Sequence, residues 1–404
     1  HQRYFPVLDE AGKLMPYFIT IRNGGHEHLD LVRKGNEGVI RARYSDAAYF
    51  YKQDAAHSLE SFVPKLGKLT FQEQLGSMLD KTERLEALAP WIGLRLKLSP
   101  LDLETLGRAA HLAKADLATQ MVVEMTSLQG VMGREYARVS GEPESVAVAL
   151  SEHYLPRFAG DALPATRPGV ALALADRLDS LAGLFAVGLA PTGSSDPYGL
   201  RRAALGLVQI LLEHKIPFSV REGLAEAARR LPVKASQEAL DAAFSFVLGR
   251  IQVSLREEGF AYDAVEAVLA ERGDDPFGAQ VAVEQLRGWL AREDWAHTLD
   301  NYARCVRIIR GQAVEELDPA LLQEPAEQVL YAALVDAEKK LSPQSSVNEL
   351  LTLVQALVPV IERFFVDIMV MAEDPALRQA RLALLARVAG LTKGIVDLSK
   401  LEGF

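Results

Sequence analysis

Residues 171–206 read ALALADRLDSLAGLFAVGLAPTGSSDPYGLRRAALG, and this succession of apolar helix, broken loop and arginine-led helix sets the fold class. Over the first twenty residues Ala and Leu recur at helical spacing, with Asp176 and Asp179 inside the apolar face. Carboxylates stay in such a face only when paired or hydrogen-bonded. Pro191-Thr192-Gly193-Ser194-Ser195-Asp196 then breaks the helix. Ser195 or Asp196 is the candidate N-cap of the next helix and Pro197 its candidate first residue. Arg201 and Arg202 follow within about a turn. Cations at a helix N-terminus oppose the macrodipole, so the pair requires a dedicated partner, either Asp176 or Asp179 or an external anion. The loop is not a Walker A turn, because no Gly-Lys-Ser/Thr follows it.

Working outward, the whole chain predicts a mostly α, multidomain protein. Its 404 residues and 44.2 kDa exceed one ordinary core, so two to four domains are expected. Residues 1–35 alternate like a β-hairpin and residues 36–65 turn helical, with Arg41, Arg43 and Lys52 among aromatics that suit packing onto the next domain. The chain opens without Met on a strand pattern and carries no signal peptide, so we expect residues 1–69 to be the end of a preceding α+β domain. Residues 70–215 read as helix after helix, and 216–275 as a smaller helical linker domain closed by Gly273-Asp274-Asp275-Pro276, the clearest linker signal. Residues 276–404 carry long amphipathic helices separated by Asp318-Pro319, Glu324-Pro325, Ser342-Pro343 and Asp374-Pro375.

Composition narrows the function classes. A net charge of −10 and a pI near 5.4 argue against a general polyanion binder, so any RNA contact must come from local basic patches. No apolar run approaches the roughly 20 residues of a membrane span, and the single Cys305 excludes a disulfide framework and a thiolate metal site. A cytoplasmic protein with no membrane partner is expected.

The segment 171–206 closely resembles the β subunit of bacterial heterotetrameric glycyl-tRNA synthetase, with a pattern of the form ADRLDTLxGxFxxGxxPTGSxDPxxLRRAALG. The likeness extends upstream through Lys114-Ala115-Asp116-Leu117, Met121–Glu124, Leu128–Gly133 and the EHYLPRFAGD run at 152–161, and downstream to FFVDIMVM at 364–371. The resemblance implies a tRNA-binding subunit that serves glycine tRNA and a separate α subunit, with ATP and Mg used by that α subunit and no cofactor or DNA partner for this chain. It also implies that a substantial N-terminal portion of the subunit precedes His1.

Residues 70–215 further resemble the HD superfamily of metal-dependent phosphohydrolases, in which a His, a His-Asp pair and a distant Asp hold metal ions that activate water. The matching positions are Lys81, Ala115-Asp116 and Asp176. Both histidines are missing, a charged ammonium cannot ligate a metal, and Lys114 adds positive charge. The expected role of Asp116 and Asp176 is therefore pairing with Lys81, Arg84 or Lys114 in a structural ion network. His111 and His153 read as helix histidines with local partners. A metal-dependent phosphohydrolase is the competing function, and no catalytic or metal-binding residue is assigned.

The best binding signal is YARCVRIIR at 302–310, where Arg304, Arg307 and Arg310 recur every three residues while Val306 and Ile309 turn toward the core. Such a stripe can follow phosphates, and arginine also stacks on unpaired bases. The alternative is a solvated face paired with Asp300, Glu315 or Glu316. The region resembles the helical anticodon-binding (DALR-like) domain shared with arginyl-tRNA synthetases, in which the helix has the form KRVxNI. Here Arg304-Cys305 replaces Lys-Arg and Ile308 replaces Asn, which favours phosphate contact over base reading by this helix. Arg378, Arg381, Arg387 and Lys393 form a second basic set, and Arg201 and Arg202 a third.

Overall fold

In a computed structural model describing residues 4–158 and 160–404, the expected hairpin forms strands β1 (Tyr4–Leu8) and β2 (Leu14–Thr20). The hairpin's first three residues and Ala159 of the EHYLPRFAGD run lie outside the described residues. The strands pair antiparallel from Tyr4 opposite Thr20 to Leu8 opposite Leu14, with a bulge between Pro6 and Leu8. Asp9 shapes the turn by accepting the Ala11 and Lys13 amides at 3.0 and 2.8 Å, and Gly12 supplies the left-handed φ of 76°. Helix α1 (Leu29–Ala55) begins earlier than expected, and its Tyr44 and Tyr49 are exposed. These elements form one compact unit ending at Ala56, and the rest of the chain forms another.

The second unit opens on a 3-10 helix (Leu59–Lys68) and two short paired strands, β3 (Thr70–Gln72) and β4 (Gly76–Ser77). Ser77 and Asp80 then make a capping box for α2 (Met78–Arg95). Ser99 caps α3 (Pro100–Leu112), and short helices α4 (Gln120–Glu124), α5 (Val131–Val139) and α6 (Glu144–Glu152) follow. Helix α7 (Arg167–Ala186), capped by Thr166, carries the quoted Ala/Leu run. Every residue from Pro168 to Phe185 except Asp176 and Ser180 is buried, as suits a helix that is apolar all round.

Around α7 pack α2, α3, α6, α8 (Leu200–Glu213), α9 (Val220–Ala228) and α10 (Gln237–Glu257). Helices α11 (Tyr262–Arg272) and α12 (Pro276–Leu290) lead into a C-terminal bundle of α13 (Trp295–Ile309), α14 (Pro325–Lys340), α15 (Val347–Asp367) and α16 (Pro375–Gly390). In it α13 packs on α15 and α16, and α14 on the same two. Pro325 and Pro375 open α14 and α16, and Pro319 opens a 3-10 turn.

Domain boundaries differ from those expected. The compact division falls after Ala56 rather than after residue 69, because the 3-10 helix at 59–68 packs on α2 and α3. No compact division falls at 215 or 275 either. The supposed linker is pinned to the start of α9: Asp274 accepts the Val220 amide on its carbonyl at 2.9 Å, and the Arg221 amide at 2.8 Å and the Ser219 hydroxyl at 2.6 Å on its carboxylate.

Candidate functional site

Two facing pairs at three-residue spacing build the buried polar centre of the second unit. Lys81 and Arg84 lie on one face of α2, Asp176 and Asp179 on one face of α7. Lys81 Nζ donates to Asp179 Oδ2 at 2.8 Å and to Ser180 Oγ at 2.9 Å. It also lies 3.0 Å from Asp176 Oδ1, off the hydrogen-bonding direction. Arg84 grips Asp179 with Nε at 2.6 Å and Nη2 at 3.2 Å, and donates Nη1 to the Leu75 carbonyl. Lys114, at the left-handed turn after α3, reaches Asp176 Oδ2 at 2.8 Å and lies 4.1 Å from the centre of the Tyr154 ring.

Asp116 departs from the expected pairing. Among the described residues no cation touches its carboxylate, which instead accepts the Gly130 amide at 2.5 Å and the Tyr154 hydroxyl at 3.2 Å. The 3-10 turn at Ala115–Ala118 aims it at the start of α5, away from α2. His153, buried beside these groups, has Nδ1 2.7 Å from the Leu150 carbonyl but leaves Nε2 without a hydrogen-bond partner. His111 has Nδ1 2.9 Å from Glu86.

The environment separates the two acids. Burial alone would raise the pKa of Asp176, but Lys114 and Lys81 outweigh it and hold the carboxyl well below its usual range. Asp179 is likewise lowered, burial being overcome by Lys81 and Arg84. Asp116 is raised, since burial exceeds what the Gly130 amide and the Lys114 charge return. Burial depresses Lys114, with the Lys81 charge adding to it, whereas Asp176 and Asp179 override burial and leave Lys81 raised. His153 is pushed well below its usual range, first by burial and then by Lys114.

These donors do not fit a divalent metal. Both oxygens of Asp176 already face ammonium groups, and two lysines would repel an incoming cation. Among the described residues no group of three or more His, Cys, Asp or Glu is placed to hold a metal ion.

The arginines expected at the surface have three fates. Helix α8 starts at Leu200, later than expected: Gly199 takes the N-cap position with φ 68°, and Asp196 caps from outside by accepting the Leu200 and Arg201 amides at 2.8 and 2.9 Å. Arg201 folds back onto the Gly193 carbonyl at 2.6 Å and Arg202 reaches the Arg157 carbonyl at 3.4 Å, so neither meets Asp176 or Asp179. Arg304 and Arg307 on α13 and Arg310, its C-cap in extended backbone, are all exposed, while Val306 and Ile309 are only half-buried. Arg307 pairs with Asp300 at 2.6 Å, and Arg304 lies 4.1 Å from the centre of the Phe365 ring.

Arg381 is withdrawn from the surface. It is 7% exposed, its Nε is 2.6 Å from the fully buried Glu327, and its Nη1 donates to the Met369 carbonyl. Arg378 is half-buried and donates to the Ala372 carbonyl at 3.1 Å. Arg387 pairs with Glu338, and Lys393 is exposed.

Residues 1–270 match the family model described as glycyl-tRNA synthetase beta subunit. The chain belongs to that family. Residues 298–399, which hold all but the first three residues of α13 together with α14 to α16, match the DALR anticodon binding domain. Relatives include the glycine–tRNA ligase beta subunits of Desulforudis audaxviator, 42% identical, and Clostridioides difficile, 41% identical, each aligned over 99% of this chain and 59% of the relative. The chloroplastic/mitochondrial glycine–tRNA ligase 2 of Arabidopsis thaliana is 40% identical over all of this chain and 38% of its own length. The chain thus spans about three-fifths of the bacterial beta subunits it matches. No helix among the described residues is long and apolar enough to cross a membrane.

Proposed function

We propose that this chain is a tRNA-binding part of a glycine–tRNA ligase, holding glycine tRNA while a separate α subunit uses ATP and Mg to attach the amino acid. The observation that carries this reading is that the exposed Arg304 and Arg307 on α13 and Arg310 at its C-cap lie inside the region matched by the anticodon-binding model. The catalytic centre is assigned to the α subunit and the working complex to the cytoplasm. Residues 70–215 are read as a degenerate HD domain whose metal pocket has become the Lys81–Asp176–Lys114 network. The phosphohydrolase alternative finds no support, since Lys81 and Ala115 stand where histidine ligands are required and Lys81 and Lys114 already occupy Asp176.

Fluorescence anisotropy with labelled glycine tRNA across a salt series tests the reading. Each neutralised phosphate releases counterions, with a log–log slope of roughly −0.7 to −0.9 per contact. Arg304→Gln, Arg307→Gln and Arg310→Gln together should weaken binding and flatten the slope by about two to three units. Cognate and non-cognate tRNAs should weaken alike, because phosphates carry little sequence information. Arg307 has to exchange Asp300 for RNA, so alone it should contribute least. Wild-type affinity and slope in the triple variant would remove the stripe from the interface. No tRNA binding by the unmodified chain would overturn the function itself.

A further inference from the structure

The motif FFVDIMVM at 364–371 is explained by neither the ion network nor the arginine stripe. Phe364 is fully buried within α15, and Phe365 is half-buried under Arg304. Beyond Asp367 the backbone becomes extended, Ile368 having φ −116° and ψ 124°. Side chains then alternate. Ile368 and Val370 are buried, whereas Met369 is 76% exposed, Met371 49%, and Val366 just before them 78%. Solvent would favour polar residues at the outward positions of an alternating segment and on the outer face of a helix end, yet Met369, Met371 and, in the last turn of α15, Val366 are all large and apolar.

The segment is also held in place from below. Arg381, locked by buried Glu327, donates to the Met369 carbonyl at 2.8 Å, and Arg378 donates to the Ala372 carbonyl. Two arginines of the second basic set thus position this segment. At its edge stands the Arg304–Phe365 pair, from which Arg307 continues along α13 and Arg310 marks its C-cap.

Building on the tRNA-binding reading above, we infer that Val366, Met369 and Met371, with the Arg304–Phe365 stack beside them, form a platform for unpaired bases of the tRNA anticodon loop. Unpaired bases present apolar π faces between phosphates, and they settle on aromatic and guanidinium planes. Thioethers are polarizable and adapt to irregular partners. Arginines running from the same edge complement the flanking phosphates, which favours RNA over an apolar protein surface. The outward side chains offer no strong hydrogen-bond donor or acceptor to a base edge, so the platform contributes affinity and little sequence choice.

The 404-residue chain carrying Met369→Ser and Met371→Ser tests this. It should bind glycine tRNA about tenfold more weakly with an unchanged salt slope, since stacking rather than phosphate contact is lost. A glycine tRNA with abasic nucleotides in the anticodon loop should bind wild type and variant equally. The arginine triple variant should show the opposite signature, a flatter slope. Wild-type affinity in the methionine variant, while the arginine variant still flattens the slope, would overturn the platform alone. So would an abasic tRNA that still told the two proteins apart, or a variant altered only in its sedimentation, which would make the patch an interface between copies. A chain that binds no tRNA would overturn both readings.

Discussion

At the scale of single residues, Asp176 and Asp116 are neighbours with opposite energetics. Asp176 satisfies two buried ammonium groups, and Asp176→Asn leaves them short of a counter-charge. Removing one partner of a buried ionic group costs about 3–5 kcal/mol, which denaturant unfolding would register as a clear fall in midpoint. Asp116→Asn should cost less than about 1 kcal/mol, because its carboxylate touches no cation and an amide can still accept from Gly130 and meet Tyr154. Acid separates them again. The lowered Asp176 and Asp179 contribute stability that is fully present above the ordinary carboxylate range and is lost as pH falls through their folded-state values. The raised Asp116 acts in reverse: its charged form is a burden that protonation relieves. Asp116→Asn removes that relief, so its stability should fall more steeply than wild type as pH drops through the raised value toward the ordinary carboxylate range, as unfolding curves across a pH series would show. The need for a network was legible in two carboxylates set in an Ala/Leu face. Which acid would meet a cation was not, because the turn that aims Asp116 at Gly130 depends on Lys114 adopting a left-handed backbone, a conformation unusual for lysine.

At the scale of elements, capping shows what the sequence discloses and what it hides. Asp196 was legible as a capping residue, but its carboxylate reaches forward over a Gly199 turn to bind two amides of α8. Asp196→Ala should therefore destabilise the protein by about 1 kcal/mol, measured as a shifted denaturant midpoint at unchanged m-value. The arginines behind it need no carboxylate partner, since loop carbonyls take Arg201. Helix α16 carries a missed signal. Arg381 falls within an unbroken buried run from 380 to 385 that is otherwise apolar, so its sequence neighbours place it inward. Grouping it instead with exposed basic neighbours hides its pairing with Glu327, a distant carboxylate that only tertiary packing brings near. Arg304 and Arg307 are exposed on one side of α13, as positions three apart should be, whereas Arg310 is exposed because the helix has ended before it.

At the scale of the whole molecule, the unit ending at Ala56 and the unit from His57 differ in how they bury themselves. Among described residues 4–56 only Asn36 and Asp54 are buried, and a two-stranded hairpin is marginal on its own. A chain starting at His57 should therefore unfold with the same main cooperative transition as the 404-residue chain, checked by calorimetry. A lost or strongly lowered transition would make the first unit part of the fold's stability. The mostly helical class was legible from Ala/Leu periodicity throughout, but the split between the two compact units after Ala56 was not. Gly and Pro clusters mark turns as readily as linkers, and only the hydrogen bonds of Asp274 to α9 distinguish the two. The helix at the centre, α7, is so evenly apolar that greasy packing alone would let it settle at several rotations about its axis. A slip of one residue turns a helix by about 100°, which would swing Asp176 and Asp179 away from Lys81, Arg84 and Lys114. The charges therefore act as an index mark, giving a helix that could lie many ways a single angular setting around which its neighbours are assembled.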